Sequence, residues 1–113
     1  MNDSQSLFGD MLRGNTDKII LSILLKADSY GYKINKILED ETQQRFSLNE
    51  ATLYTTFKRL EMEGYITSYW QENQMNQKRK YYSITSQGKE YLIQSKKDWI
   101  EATKIINYFI DEF

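Results

Sequence analysis

The stretch LNEATLYTTFKRLEMEGYI, Leu48 to Ile66, decides the fold. On a wheel of about 100° per residue, Leu53, Phe57 and Leu60 fall within about 60° of one another, the spacing of a buried helix face. Asn49 suits the N-cap, and Glu50 in the first turn complements the positive helix end. Gly64 stands where a left-handed residue closes a helix. These signals predict a helix over Glu50–Glu63. Its far side carries Ala51, Thr52, Thr55, Lys58 and Arg59, with Tyr54 on the flank. Hydroxyl side chains near a helix start, followed by Lys and Arg, suit entry into a DNA major groove. Thr bonds a base or offers its methyl to thymine, while Lys and Arg reach phosphates or guanine edges. The same residues also suit an ordinary solvated face.

The flanking segments bear on that choice. After Gly64, Ile66–Gln71 and Lys80–Thr85 are rich in β-branched and aromatic residues and predict two strands. The polar link Glu72 to Arg79, without Gly or Pro, predicts a mobile tip, and Trp70 is expected to pack the hairpin against the body. Before Leu48, the apolar spacing of Leu12, Ile19, Ile20, Ile23 and Leu24 predicts one helix over Leu12–Ala27, weakened in its first turn by Gly14. Ser29 or Asp28 would cap a second helix, running through Tyr30, Ile34, Ile37 and Leu38 to about Thr42. Gly31 near its start would let another element approach closely.

From Ser86 the chain reads as one helix to its end, capped by Thr85 or Ser86 and about 40 Å long. Leu92, Ser95, Trp99, Ala102, Ile106, Phe109 and Phe113 recur at a 3–4 spacing, which suggests a helix–helix seam. The expected fold is therefore mainly α with a β-hairpin. A winged helix-turn-helix occupies 1–85 and a long C-terminal dimerisation helix occupies 86–113. In that order of elements the third helix reads the groove and the hairpin wing reaches the backbone. The consecutive Lys78, Arg79 and Lys80 could simply protect a strand edge. Taken with Thr52, Tyr54, Thr55, Lys58 and Arg59, they favour double-stranded DNA as the partner.

Composition narrows the alternatives. With 113 residues, 40% of them hydrophobic and 27% charged, the chain suits one folded domain. Nine tyrosines against five phenylalanines suit half-buried surfaces and interfaces. There is no Cys and no His, so disulfides, thiol nucleophiles and imidazole acid–base chemistry are excluded. No phosphate-cradling glycine motif occurs, and the sixteen acidic residues are scattered. An enzyme, a cofactor and a structural metal are not expected. No apolar run reaches membrane-spanning length, and the polar N-terminus is unlike a secretory signal, so a cytoplasmic protein with no membrane partner is expected. A net charge of −1 argues against binding DNA by bulk charge. From Ser47 to Ile84, five basic residues meet four acidic ones, so any contact must come from a local patch.

LNEATLYTTFKRLEMEGYITSYW followed by KRKYYSITSQGKEYL resembles the recognition helix and wing of the PadR family of bacterial transcriptional regulators. MLRGNTDKIILSILLKADSYGYKI resembles that family's first two helices, and the likeness runs from about Met11 to Phe113. The single C-terminal helix is similar to the small subgroup that includes multidrug-responsive repressors. The resemblance implies a homodimeric repressor on a pseudo-palindromic operator, paired through Leu92, Trp99, Ile106, Phe109 and Phe113. It also implies a central cavity for a planar aromatic effector, with Trp99 and Met11 at matching positions and Lys18, Ser95 and Thr103 beside them. Lys18 and Lys96 stand where the drug-binding relatives carry apolar residues, which implies a smaller or more polar pore, or no ligand site.

Two other functions fit the same residues. One is a winged-helix protein-interaction module without DNA binding; the other is a sensor whose main chemistry is the Trp99 cavity. Salt separates the first from a repressor, because operator binding weakens steeply as phosphate counterions are released. Quenching of tryptophan fluorescence by planar dyes would support the second.

Overall fold

Leu53, Phe57 and Leu60 are buried in the computed structural model, which describes residues 6–113. The first five residues of the expected 1–85 unit lie outside the described ones. In chain order the elements are α1 (Leu7–Arg13), α2 (Thr16–Lys26), β1 (Ser29–Tyr30), α3 (Gly31–Glu41), α4 (Glu50–Met62), β2 (Ile66–Glu72), β3 (Lys78–Ile84) and α5 (Ser86–Ile110). Ile20, Leu21 and Leu24 of α2, Ile34 and Leu38 of α3, and Ile66 and Tyr82 of the sheet close the core around α4.

The expected helix over Leu12–Ala27 is two helices. Gly14 ends α1 by donating its backbone N–H to the Asp10 carbonyl at 3.0 Å. The Asn15 amide donates to the Met11 carbonyl at 2.7 Å, and the Thr16 hydroxyl donates to the Arg13 carbonyl at 2.7 Å. Side chains thus satisfy the last carbonyls of α1, and a new helix starts.

Neither Ser29 nor Asp28 caps α3. Ser29 and Tyr30 form a short strand opposite Tyr82 and Tyr81, so the hairpin becomes a three-stranded antiparallel sheet in the order β1-β3-β2. The Asp28 carboxylate instead accepts a hydrogen bond from the Tyr69 hydroxyl at 2.7 Å, which raises the Tyr69 pKa. The cap is displaced because β3 offers backbone partners that an isolated α3 would lack.

The connector into α4 is less polar than it reads, since Phe46 and Leu48 are buried. The Asn35 side chain brackets Leu48, accepting from its N–H at 2.8 Å and donating to its carbonyl at 2.6 Å. Asn49 then caps α4, accepting from the Thr52 N–H at 2.8 Å. The helix ends one residue early, at Met62, and Gly64 follows at φ +82°.

The strands are longer than expected at the tip and leave only a short turn. The Asn73 side chain accepts from the Met75 and Gln77 N–H groups at 2.9 and 3.0 Å, and Asn76 takes φ +60°. Asparagine does here what Gly does in most tight hairpins. Trp70 does not pack the wing against the body; it is 65% exposed. Its cross-strand partner is Lys80, whose ammonium lies 5.7 Å from the Tyr82 ring centroid.

Thr85 caps α5, accepting from the Gly88 N–H at 3.0 Å and donating to the Gly64 carbonyl at 2.7 Å. A Cβ on Gly88 would lie 2.1 Å from the Tyr65 carbonyl oxygen, so only glycine lets α5 cross the chain there. Tyr91 stacks on Tyr65 at 4.2 Å between centroids, and Leu92 packs on the core. Leu92 is thus partly buried against this chain's own core, whereas Trp99, Ile106 and Phe109 are exposed. The helix stops at Ile110 with Asp111 as its cap, leaving Phe113 beyond it.

Candidate nucleic-acid interface

Two faces of α4 meet two environments. Thr56 joins the inward face, its hydroxyl donating to the Thr52 carbonyl at 2.8 Å, so it is buried although threonine is usually exposed. On the outward face Ala51, Thr55, Lys58 and Met62 are exposed and one helical turn apart. Thr52 is half-buried at the edge of that stripe. Lys58 has no ion-pair partner among the described residues.

Tyr54 stands on the flank, half exposed. Its hydroxyl oxygen lies 3.2 Å from where a Cβ of residue 31 would sit. Gly31 thus admits Tyr54, the close approach that its place in the sequence suggested. The Tyr54 ring meets Phe57 edge-on, and Phe57 stacks on Tyr82 at 4.0 Å. Burial pushes the Tyr82 phenol up to about 12, with Glu61 adding to the shift.

Arg59 differs from Lys58. Its Nη1 donates to Asp17 Oδ2 at 2.8 Å and its Nη2 to Asp17 Oδ1, a two-pronged pair across α4 and α2. The Glu63 carboxylate lies 3.8 Å from Nη1. The Asp17 hydrogen bond holds the guanidinium above its ordinary pKa.

The base of the hairpin packs on α4. Ser68 donates to Glu61 at 2.8 Å, and Tyr82 stacks on Phe57, nearer the helix start. Continuing toward the tip, Trp70 pairs with Lys80 and Glu72 with Lys78. Cross-strand partners share a face, so Lys78 and Lys80 lie on the face that holds α4. Arg79 lies on the other face, its guanidinium 4.5 Å from the Tyr30 ring centroid. That face continues through Tyr81, stacked with Tyr69 at 5.7 Å. The basic triplet is therefore divided by the pleat.

The residues implied for an effector are not gathered within one chain. Trp99 is 48% exposed and Met11 is 62% exposed, with Ser95 and Thr103 half-buried along α5. Lys18 instead lines an apolar groove of about 810 Å³ between α2 and α3, with Ile19, Ile23, Ile37 and Phe46. Met11, Ser95, Trp99 and Thr103 take no part in that lining.

Asp17 and Met62 were not anticipated. An acidic residue in a helix's first turn reads as a partner for the helix dipole. Nothing local announces a partner 42 residues away.

Comparison with known proteins adds a family. Residues 20–94 match the model of the Transcriptional regulator PadR-like family. The negative transcriptional regulator PadR of Bacillus subtilis is 31% identical over 81 residues, 72% of this chain and 42% of that protein. The chain thus spans less than half the length of that relative. A transcriptional regulator from Clostridium thermocellum has the same fold at a TM-score of 0.81 and 44% identity, covering 89% of this chain and 95% of that one. A PadR family transcription regulator from Clostridium difficile gives a TM-score of 0.75 at 38% identity, covering 85% and 98%.

Proposed function

This chain belongs to the PadR-like family, whose members are transcriptional regulators and not enzymes, and from that premise we propose that it is a homodimeric repressor binding a pseudo-palindromic operator. The observation that carries the reading is the exposed stripe of α4, with Thr55 and Lys58 clear of the core and Lys78 and Lys80 on the neighbouring sheet face. Thr55 contributes sequence preference, and Thr52 borders it. Lys58, Lys78 and Lys80 contact phosphate, and the Tyr54 hydroxyl touches the backbone from the flank. Among the described residues no helix is long and apolar enough to cross a membrane, which is compatible with work on cytoplasmic DNA.

The dimer reading rests on α5. Beyond Leu92 about 27 Å of helix carries Trp99, Ile106 and Phe109 into solvent, and α1 adds exposed Leu7 and Met11. Exposed apolar side chains in such number mark an association site. Pairing about a two-fold axis would cover it and present two copies of α4, matching half-sites about one helical turn apart.

Selecting bound sequences from random duplex DNA tests the proposal. Enrichment of a two-fold symmetric site, bound more weakly as salt rises, is the expected result. Binding that selects no sequence and ignores salt would favour the protein-interaction module instead.

A planar effector between Trp99 and its symmetry mate is the finer part of the reading. It would act through different affinities for the DNA-competent and incompetent arrangements. The exposed Trp99 indole is the observation behind it. With Lys96 three residues before Trp99 on α5, an anionic planar dye should quench tryptophan fluorescence at lower concentration than a cationic one. Trp99→Ala should abolish the difference; equal weak binding by both proteins would leave Trp99 as a packing residue.

A further inference from the structure

Arg59 stands among the residues expected to touch DNA, yet each terminal nitrogen of its guanidinium already donates to one carboxylate, leaving only its remaining N–H groups for another partner. Both terminal nitrogens bond separate oxygens of Asp17, and Glu63 lies close to one of them. A phosphate approaching the guanidinium would meet two carboxylates. Displacing Asp17 would leave a carboxylate with only 20% of its side chain exposed and no compensating cation. Lys58, one residue earlier, has no such commitment among the described residues.

We infer that Arg59 is a positioning residue, which sets the tilt of α4 through Asp17 and does not itself bind phosphate; the inference rests on the DNA-binding reading above. The start of α4 is held by Asn35 around Leu48 and by Tyr54 over Gly31. Its middle is held by Phe57 against Tyr82. The Arg59 fork ties its last turns to the first turn of α2, where Asp17 also meets the positive end of that helix. A planar two-bond contact fixes orientation as well as distance, which a single ammonium contact does not. Lys18, the next residue of α2, lines the groove against α3. Movement of α2 would therefore reach α4 through this pair.

The test uses the full chain and its selected operator, with Asp17→Asn, Arg59→Lys and the double variant. Each is measured as the dissociation constant of the folded, active fraction across a salt series, with a melting curve taken without DNA. Asp17→Asn should weaken operator binding by about fivefold per protomer, the scale of a well-formed exposed ion pair. Arg59→Lys should weaken it similarly although the charge is kept. The double variant should be no weaker than either alone, and all salt slopes should match the unmodified protein.

A phosphate contact predicts the opposite signs. Asp17→Asn would then tighten binding by removing a negative charge and freeing the guanidinium, and Arg59→Lys would bind nearly as well as the unmodified protein. Either result overturns the inference. So does a lowered melting temperature with the affinity of the folded fraction unchanged, which would make the pair a stability device only. If the unmodified protein shows no salt-dependent DNA binding at all, the parent reading fails and this one with it.

Discussion

α4 and the distal half of α5 are amphipathic helices with opposite fates. In α4 every inward apolar residue finds a partner within the chain: Leu53, Phe57 and Leu60 are all under 4% exposed. In α5 beyond Leu92, Trp99, Ile106 and Phe109 are between 48% and 64% exposed. The hydrophobic pattern alone does not distinguish the two helices. What differs is whether the chain supplies the other wall, so the same periodicity reads as core in one helix and as an unmet demand for a partner in the other.

Breaking the satisfied side should give the largest change. Phe57→Ala removes a ring that stacks on Tyr82 and meets Tyr54, leaving a cavity at the centre of the core. The expected loss is about 3–5 kcal/mol, a large part of the roughly 5–15 kcal/mol that holds a domain together. Chemical denaturation would measure it. A loss below about 1 kcal/mol would mean that α4 is not held by this core.

Breaking the unsatisfied side should leave the fold and remove the assembly. Ile106→Asp puts a charge where the proposed seam needs an apolar side chain, and it touches nothing in its own protomer's core. The dimer dissociation constant should rise about a hundredfold or more, while the far-ultraviolet spectrum of the body is kept. Light scattering at micromolar concentration checks both halves. A monomeric unmodified protein would remove the demand on which the comparison rests.

The comparison also explains what the sequence disclosed. α4 was legible because cap, stripe and closing glycine all lie within Leu48–Gly64 and agree with one another. The hairpin was legible for the same reason, though its turn was not, since Asn73 and Asn76 substitute for the usual glycine. The break at Gly14 and the strand at Ser29–Tyr30 were missed because their partners are distant or compete with local signals. Ser29 reads as a cap until β3 is beside it. In the candidate site, the residue types were visible but their assignments were not. Consecutive Lys78, Arg79 and Lys80 look like one patch until the pleat separates them. Arg59 looks free until α2 brings Asp17 to it.

The wing offers the finest version of the same contrast, because neighbouring residues of one sign meet different surroundings. Lys78 and Lys80 share the sheet face that holds α4, whereas Arg79 lies over Tyr30 on the opposite face. On B-form DNA each neutralised phosphate adds about 0.9 to the slope of log affinity against log salt. Lys78→Ala and Lys80→Ala should therefore each flatten the slope by about that amount per protomer. Arg79→Ala should flatten it by less, since its guanidinium lies over Tyr30 on the sheet face turned away from α4, the helix proposed to enter the groove. The measurement is a set of operator dissociation constants between about 50 and 200 mM salt, the range over which phosphate contacts register most clearly. A slope that responds equally to all three substitutions would mean that the hairpin turns on binding and that the division seen in the free chain does not survive contact with DNA.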